Sequence, residues 1–306
     1  MPQTQFFAKV SVVILTYNRA RSDVIECIES VKAMNYPNLE IILVDNSTRT
    51  PSKYNLLYPE VRLVDATGSK NLGSSAGRNL GIKYCSGEYV FFVDDDVVLG
   101  RHCIEELVKI AGSDSSIGII GPLMYRYDVP FEVWFYDTAF LGTTKGGVID
   151  VRMVVGGAML VKQEVLQRIG GFDDLYFFYA EDWDYSYRAQ VAGYRTVCAL
   201  HAYSWHKVSS DEYAKLFAPH RAYYLHRNFF VFAARHRTTI NGVANFLLKN
   251  LLYYGPGSVP SYFVFSSIRQ RKLSALKSYV HGIFDGLAVF AKLTGANKAY
   301  ALKAKQ

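Results

Sequence analysis

Four short apolar runs, Val10–Leu15, Glu40–Val44, Val61–Val64 and Tyr89–Val93, are dense in β-branched and aromatic residues. Runs of this length without polar alternation predict strands covered on both faces, the condition of a parallel sheet sandwiched between helices. Helical spacing fills several of the gaps, roughly over Ser22–Met34, where Val24, Ile28 and Val31 recur, and over Ser75–Tyr84. This alternation argues for an α/β domain with a mostly parallel central sheet flanked by helices. Further strands are expected at Ile117–Gly121 and Met153–Val161, and a helix from Glu181 to Ala192 that Gly193 stops.

Sheets of this kind bind ligands where their strands deliver carboxyl ends. The first run leads into Thr16, Tyr17, Asn18 and Arg19, the second into Asp45, Asn46 and Ser47, and the fourth into Asp94, Asp95 and Asp96. Two carboxylates about 5 Å apart repel by about 3 kcal/mol at an effective dielectric of about 20. Three in a row at the mouth of a core therefore need a cation, protonation or open solvent. Side chains alternate along an extended segment, so Asp94 and Asp96 face one way and Asp95 the other. That makes Asp-x-Asp the working unit and suits Mg²⁺, which takes one or two protein carboxylates and completes its shell with water and substrate phosphates. The bland reading of the tract alone is a solvated acidic turn.

Two other segments carry chemistry-bearing residues. Gly68–Gly81 combines glycines, hydroxyls, Lys70 and Arg78 at a helix start, where free amides attract phosphate, although it lacks the GK[ST] ending of a P-loop. The turn after the first strand has no glycine, which counts against a dinucleotide site. Glu181 and Asp182 stand at the expected helix N-terminus, where the dipole favours an ionised carboxylate able to act as a base. Asp184 and Arg188 read as surface neighbours one turn apart.

Charge is unevenly spread. Residues 1–200 carry 19 Lys and Arg against 24 Asp and Glu, whereas residues 201–306 carry 15 against 3. A basic final third suits an anionic membrane surface or nucleic acid, but no nucleic-acid-binding module is recognisable, so no nucleic-acid partner is expected. The cysteines, Cys27, Cys85, Cys103 and Cys198, show no metal or disulfide spacing and point to a reducing compartment, and the first residues do not read as a signal peptide. A cytoplasmic protein, peripheral at the inner face of the cell membrane, is expected. The uncharged stretch from Asn250 to Ile268 is interrupted by Gly255, Pro256, Gly257 and Pro260 and reads as a surface or re-entrant segment rather than a span. From Asp211 onward the chain reads mostly helical, and Leu273, Leu276, Val280, Ile283, Leu287 and Phe290 form one apolar stripe, suited either to lipid or to a buried or homo-oligomer seam.

In order and spacing, VSVVILTYNR (10–19), EIILVDNS (40–47), NLGSSAGRNLGI (71–82), GEYVFFVDDDV (87–97), GGAMLV (156–161) and GGFDDLYFFYAEDWDYSYRAQVAGY (170–194) resemble the family 2 glycosyltransferases of the GT-A fold, rhamnosyltransferase-like branch, over about residues 8–210. A looser likeness continues into HRAYYLHRNFFVFAARH (220–236). The resemblance implies a catalytic domain over 1–210, a helical basic region over 211–306, and inverting transfer of a sugar from a nucleotide-diphosphate donor to a hydroxyl of a lipid-linked or cell-surface glycan. It implies that Thr16, Tyr17, Asn18, Arg19, Asp45, Arg78, Asp94, Asp95, Gly156, Gly157 and Glu181 contribute to the nucleotide-sugar pocket. Asp96 and His206 would bind Mg²⁺ or Mn²⁺, with His201 as competitor for the histidine, and Asp182 would be the base. Asp45 is followed by Asn46, where polyprenyl-phosphate sugar synthases of the family carry a second acid, which shifts weight toward glycan-extending enzymes. A polyprenyl-phosphate sugar synthase and a non-catalytic nucleotide-sugar-binding protein are the alternatives.

Overall fold

The structure is a computed structural model and describes residues 7–48, 54–66, 70–129, 132–133, 146–207, 218–236 and 273–303. The chain divides into two compact units, Met1–Phe177 with Glu181–Ser210, and Phe178–Ala180 with Asp211–Gln306.

The first unit is built on one sheet of nine strands: β1 (Val10–Thr16), β2 (Leu39–Asp45), β3 (Arg62–Asp65), β4 (Tyr89–Asp94), β5 (Val97–Leu99), β6 (Ile117–Arg126), β7 (Val148–Asp150), β8 (Ala158–Lys162) and β9 (Arg195–His206). They lie in the order β3-β2-β1-β4-β8-β6-β9-β5, with β7 paired to β9. The parallel and antiparallel pairings together make β1, β2, β3, β4, β6 and β9 run one way and leave β5, β7 and β8 reversed. The expected parallel character thus holds throughout β1 to β4, and the sheet becomes mixed where β8 inserts between β4 and β6. The expected strand at Met153–Val161 is shorter than its apolar run, because Gly156 and Gly157 form a turn ahead of Ala158.

Both faces of the sheet are covered, which is why its strands read as continuous apolar runs. Val10, Val12 and Ile14 of β1 point to one side, with Leu43, Phe91 and Leu160, and pack under helices α1 (Arg21–Lys32) and α4 (Cys103–Ser113). Val13 points to the other, with Ile42, Phe92 and Met159, toward α5 (Gln163–Ile169) and α6 (Glu181–Val191). The short α2 (Tyr54–Leu57) precedes β3, and α3 (Gly73–Ile82) follows it. Helix α3 presses on the sheet through glycine: a Cβ at Gly81 would lie 2.5 Å from Val13 Cγ1 and 3.1 Å from Val44 Cγ2.

Register aligns the strand ends. Thr16 pairs with Asp45 across β1 and β2, and Leu15 pairs with Asp94 across β1 and β4. Val97 and Arg126 both pair with His206 at the end of β9. The polar clusters that follow β1, β2 and β4, and His206 at the end of β9, therefore arrive at the same edge.

The second unit contains α7 (Pro219–His236) and α8 (Leu273–Lys303). Within it Tyr179 and Ala180 take left-handed backbone angles, with φ of 65° and 66°. Such angles cost non-glycine residues about 1–2 kcal/mol each. The fully buried Asn228 offsets this by donating from Nδ2 to the carbonyls of Phe178 and Tyr179, at 2.8 and 2.7 Å. The stretch from Asn250 to Ile268 lies outside the described residues, as does the expected helical start at Asp211. The expected apolar stripe of α8 is not buried within the chain: Leu273, Val280 and Leu287 are exposed, Leu276, Ile283 and Phe290 are half-buried, and Ala275 is the buried residue.

Identical substitutions in two helices should differ in effect. Gly81→Ala returns about 1 kcal/mol of helix propensity but overpacks the core at a cost of about 1–3 kcal/mol, so its urea midpoint should fall. At Gly112 the nearest atom to an added Cβ is Tyr89 Oη at 3.8 Å, an ordinary contact. Gly112→Ala should raise the midpoint or leave it unchanged.

Candidate active site

At the shared edge, Asp94, Asp96 and His206 bring one ligand atom each to within 4.8 Å of one another. Two carboxylates and an imidazole form a hard, mostly oxygen donor set that fits Mg²⁺ and, through the histidine nitrogen, Mn²⁺. Asp96 is held from both sides, by Arg19 Nη2 at 2.9 Å on Oδ2 and by His206 Nε2 at 3.3 Å on Oδ1. The Arg19 guanidinium, anchored by Asp23 at 3.0 Å, thus supplies positive charge where the donor set would hold a metal. His201, the competing histidine, is exposed and outside this group, with its ring close to Gly147.

Asp95, in the turn between β4 and β5, accepts a hydrogen bond from Thr16. Burial, reinforced by the charge of Asp96, pushes its pKa up to about 7. The tract answers its own repulsion in two ways, by counter-ions at Asp94 and Asp96 and by a readily protonated acid between them.

Arg78 is the other counter-ion, and it is buried. Its Nη2 donates to Asp94 Oδ1 at 2.8 Å and to the Gly156 carbonyl at 3.2 Å, while Nη1 donates to Glu181 Oε1 at 2.8 Å. The side chain is 5% exposed and that of Glu181 8%, so this pair is buried. The glycine at 156 is explained by it, since a Cβ there would lie 3.1 Å from Arg78 Nη2. Gly157 makes equivalent room on the metal side, where a Cβ would lie 3.4 Å from Asp94 Oδ2 and 3.5 Å from His206 Cδ2. Arg78 therefore ties the acid tract to α6 through both terminal nitrogens of its guanidinium.

Asp182 stands in the first turn of α6, accepting from the Gly156 amide at 3.0 Å and the Trp183 amide at 2.8 Å. The helix N-terminus is not the only influence on this group, although a carboxyl that titrates near 6 is still ionised at neutral pH. Burial, then the neighbouring charge of Glu181, raises the Asp182 pKa to about 6, against the lowering effect of the two amides and Arg78. Asp184 and Arg188 are not surface neighbours: Asp184 is buried and receives Arg188 Nε at 2.7 Å, while the same guanidinium donates to the carbonyls of Ile169 and Gly171.

The expected phosphate-binding helix start is occupied from within. Gly73 has φ of 78°, and a Cβ would lie 2.3 Å from the Phe177 carbonyl oxygen, so glycine is required by both angle and space. The amide of Leu72 donates to Asn46 Oδ1, that of Gly73 to Asn71 Oδ1, and that of Ser74 to the Phe177 carbonyl, at 2.9, 2.9 and 2.7 Å. Asn46 also donates from Nδ2 to Asn71 Oδ1 at 2.8 Å. An aspartate there could accept but not donate, which gives a structural reason for the amide beside Asp45. Sequence reasoning passed over this role of Asn46, Asn71 and the Phe177 carbonyl, and only the Asp-Asn departure from the double acid signalled it.

The remaining expected pocket residues line the ends of β1 and β2. Asp45 is buried and accepts from the Ser47 amide at 3.1 Å. Tyr17 is 45% exposed, and Asn18 sits at φ of 49° with its backbone amide donating to Ser47 Oγ at 3.1 Å.

Comparison with known proteins adds to this picture. The sequence profile described as "Glycosyl transferase family 2" matches residues 11–170. The chain is 28% identical over 228 residues to the uncharacterized glycosyltransferase YwdF of Bacillus subtilis, covering 70% of this chain and 81% of that one. Several further curated relatives are matched over less than a third of their own length. Among solved structures, the mannosyltransferase PcManGT of Pyrobaculum calidifontis, in complex with GDP-Man and Mn²⁺, superimposes with a TM-score of 0.59 at 19% identity, covering 97% of this chain and 81% of that one. TarS of S. aureus, residues 1–349 in complex with UDP-GlcNAc, gives 0.58 at 17% identity, covering 90% and 81%. At these identities the likeness carries the fold, which is of the GT-A type.

Removing Arg78 separates its structural work from ligand binding. Arg78→Met should lower unfolding free energy by about 3–5 kcal/mol, the cost of leaving a buried partner charge uncompensated, with Arg78→Lys recovering less than half. Urea titration reads this directly; unchanged stability with weakened donor binding would instead make Arg78 a ligand residue.

Proposed function

The chain belongs to glycosyl transferase family 2, and we propose that it is an inverting transferase moving a sugar from a nucleotide-diphosphate donor to a hydroxyl of a lipid-linked or cell-surface glycan. The observation that carries this reading is the Gly156–Gly157 pair, which has the carboxylate of Asp182 on the amide of one residue and Asp94 with His206 against the other. An ion-binding acid cluster and a separate carboxylate of raised pKa thus flank one thin stretch of backbone.

Asp94, Asp96 and His206 would hold Mg²⁺ or Mn²⁺, which when bound supplies positive charge to the departing diphosphate. Tyr17 offers an exposed ring to a nucleoside base, and Thr16, Asn18, Asp45 and Asp95 line the same strand ends. Asp182 takes the proton from the acceptor hydroxyl as its oxygen bonds to the anomeric carbon. The bond from that carbon to the diphosphate oxygen breaks, and the nucleoside diphosphate leaves. Attack from the face opposite the leaving group inverts the centre. Arg78 and Glu181 act on this reading as positioning residues, holding the acid tract and the first turn of α6 at fixed spacing. The basic balance of residues 201–306 supports an enzyme working at the inner face of the cell membrane.

A panel of nucleotide sugars, including mannose, N-acetylglucosamine and rhamnose donors, incubated with and without Mg²⁺ or Mn²⁺, should give metal-dependent release of nucleoside diphosphate for one donor. Asp182→Asn should reduce turnover by about 10²–10⁴-fold while leaving donor affinity within a few-fold; absence of turnover in the parent protein would leave a binding protein only.

The acid limb gives a second test. A base works ionised, so a pKa raised to about 6 means that activity is full above that value and falls as pH drops through it. The rate profile should therefore bend near pH 6 rather than near 4, the ordinary aspartate value. A bend near 4 would show that burial and Glu181 do not raise the Asp182 carboxyl in the working enzyme.

A further inference from the structure

We propose that the outward face of α8 is a binding face for an anionic lipid surface, a reading that stands whether or not the protein transfers a sugar. Helix α8 packs on α7 through its small residues. Ala275 is fully buried, as is its cluster neighbour Ala222 at 1% exposure. A Cβ at Gly282 would lie 2.3 Å from the carbonyl oxygen of Tyr223, and one at Gly286 would lie 3.0 Å from that of Arg227. The contact is further fixed by Tyr223 Oη donating to Asp285 Oδ2 at 2.6 Å and by the edge-on rings of His226 and Tyr279, 4.2 Å apart.

The large apolar side chains are on the other side. Leu273, Val280, Phe284 and Leu287 are 69%, 39%, 66% and 43% exposed. At roughly 100° per residue they fall within an arc of about 60°, opposite the arc of Ala275, Gly282 and Gly286. A helix of a water-exposed surface turns its large apolar residues inward and its polar ones out. This helix turns in its glycines and leaves leucine, valine and phenylalanine outside, so the exposed face calls for a partner.

Charge selects that partner. Lys277 and Lys292 are exposed on the same helix. Residues 269–306 contain eight Lys and Arg and a single acid, Asp285, which receives the Tyr223 hydroxyl. Two copies meeting through this face would bring like charge against like. Anionic headgroups complement it, while lysine stems lie along the acyl boundary with their ammonium groups at the headgroups. Among the described residues no helix is long and apolar enough to cross a membrane, so α8 would lie in the plane of the surface.

The test is sedimentation of the full chain with vesicles of phosphatidylcholine alone or mixed equally with phosphatidylglycerol. Wild-type protein should bind the mixed vesicles roughly tenfold or more tightly than the neutral ones. Phe284→Asp combined with Leu287→Asp should reduce that binding at least about tenfold, with an unchanged circular dichroism spectrum and unfolding midpoint because these side chains are exposed. Lys277→Glu with Lys292→Glu should weaken binding mainly at low salt. Equal binding by the apolar double variant would overturn the proposal. So would light scattering that shows a wild-type dimer, converted to monomer by the double variant, without vesicle binding.

Discussion

Like charges crowd the carboxyl edge of this sheet, and the two arginines that oppose them differ in one decisive respect, their access to water. Arg78 is sealed between Asp94, Glu181 and the Gly156 carbonyl, so it behaves as part of the framework. Arg19 is about a third exposed and bridges Asp23 and Asp96 at the rim. Removing the first would strand the buried carboxylate of Glu181 and leave that of Asp94, about a third exposed, to solvent. The other neutralises the site while leaving solvent a path to it. The strand register that brings Thr16, Asp45, Asp94 and His206 to one edge makes both arginines necessary.

The legible part of this fold is the part in which one side chain decides its own fate. Strands β1, β2 and β4 follow from runs such as VVIL and VFFV because both faces of the sheet are covered, and their polar ends follow from the geometry of parallel sheets. What could not be read depends on partners distant in sequence. The occupants of the α3 N-terminus come from Asn46, Asn71 and Phe177, and nothing local to Gly73 announces them. The reversal of β8 between β4 and β6 likewise depends on pairings far along the chain. Helix α8 left two readings open for a different reason: its apolar periodicity suits lipid or a seam alike, and only the close backbone approach at Gly282 and Gly286 shows that small residues turn inward and leave Leu273, Val280 and Leu287 outside.

The candidate site shows the same division. Asp94 and Asp96 were expected as a pair from alternation, yet Asp95 and Asp96 form the turn between β4 and β5, and it is this turn that brings the two carboxylates near His206, which the sequence had preferred over His201. The protonation behaviour of Asp182 was not legible, since the helix dipole and burial push in opposite directions and their balance rests on Glu181 and on the depth of the first turn of α6. Gly156 and Gly157 were legible as places of close approach, but what approaches them is the protein's own guanidinium, carboxylate and imidazole.

The bridge from Arg19 to Asp96 has a thermodynamic corollary. A guanidinium tethered three residues beyond β1 is a competitor that never diffuses away, with an effective concentration set by the chain rather than by the medium. Any cation arriving from solution meets an occupied carboxylate, and its apparent affinity is discounted by the work of detaching that side chain. A ligand carrying its own negative phosphates gives the displaced guanidinium somewhere to go, so anion and cation should be taken up cooperatively.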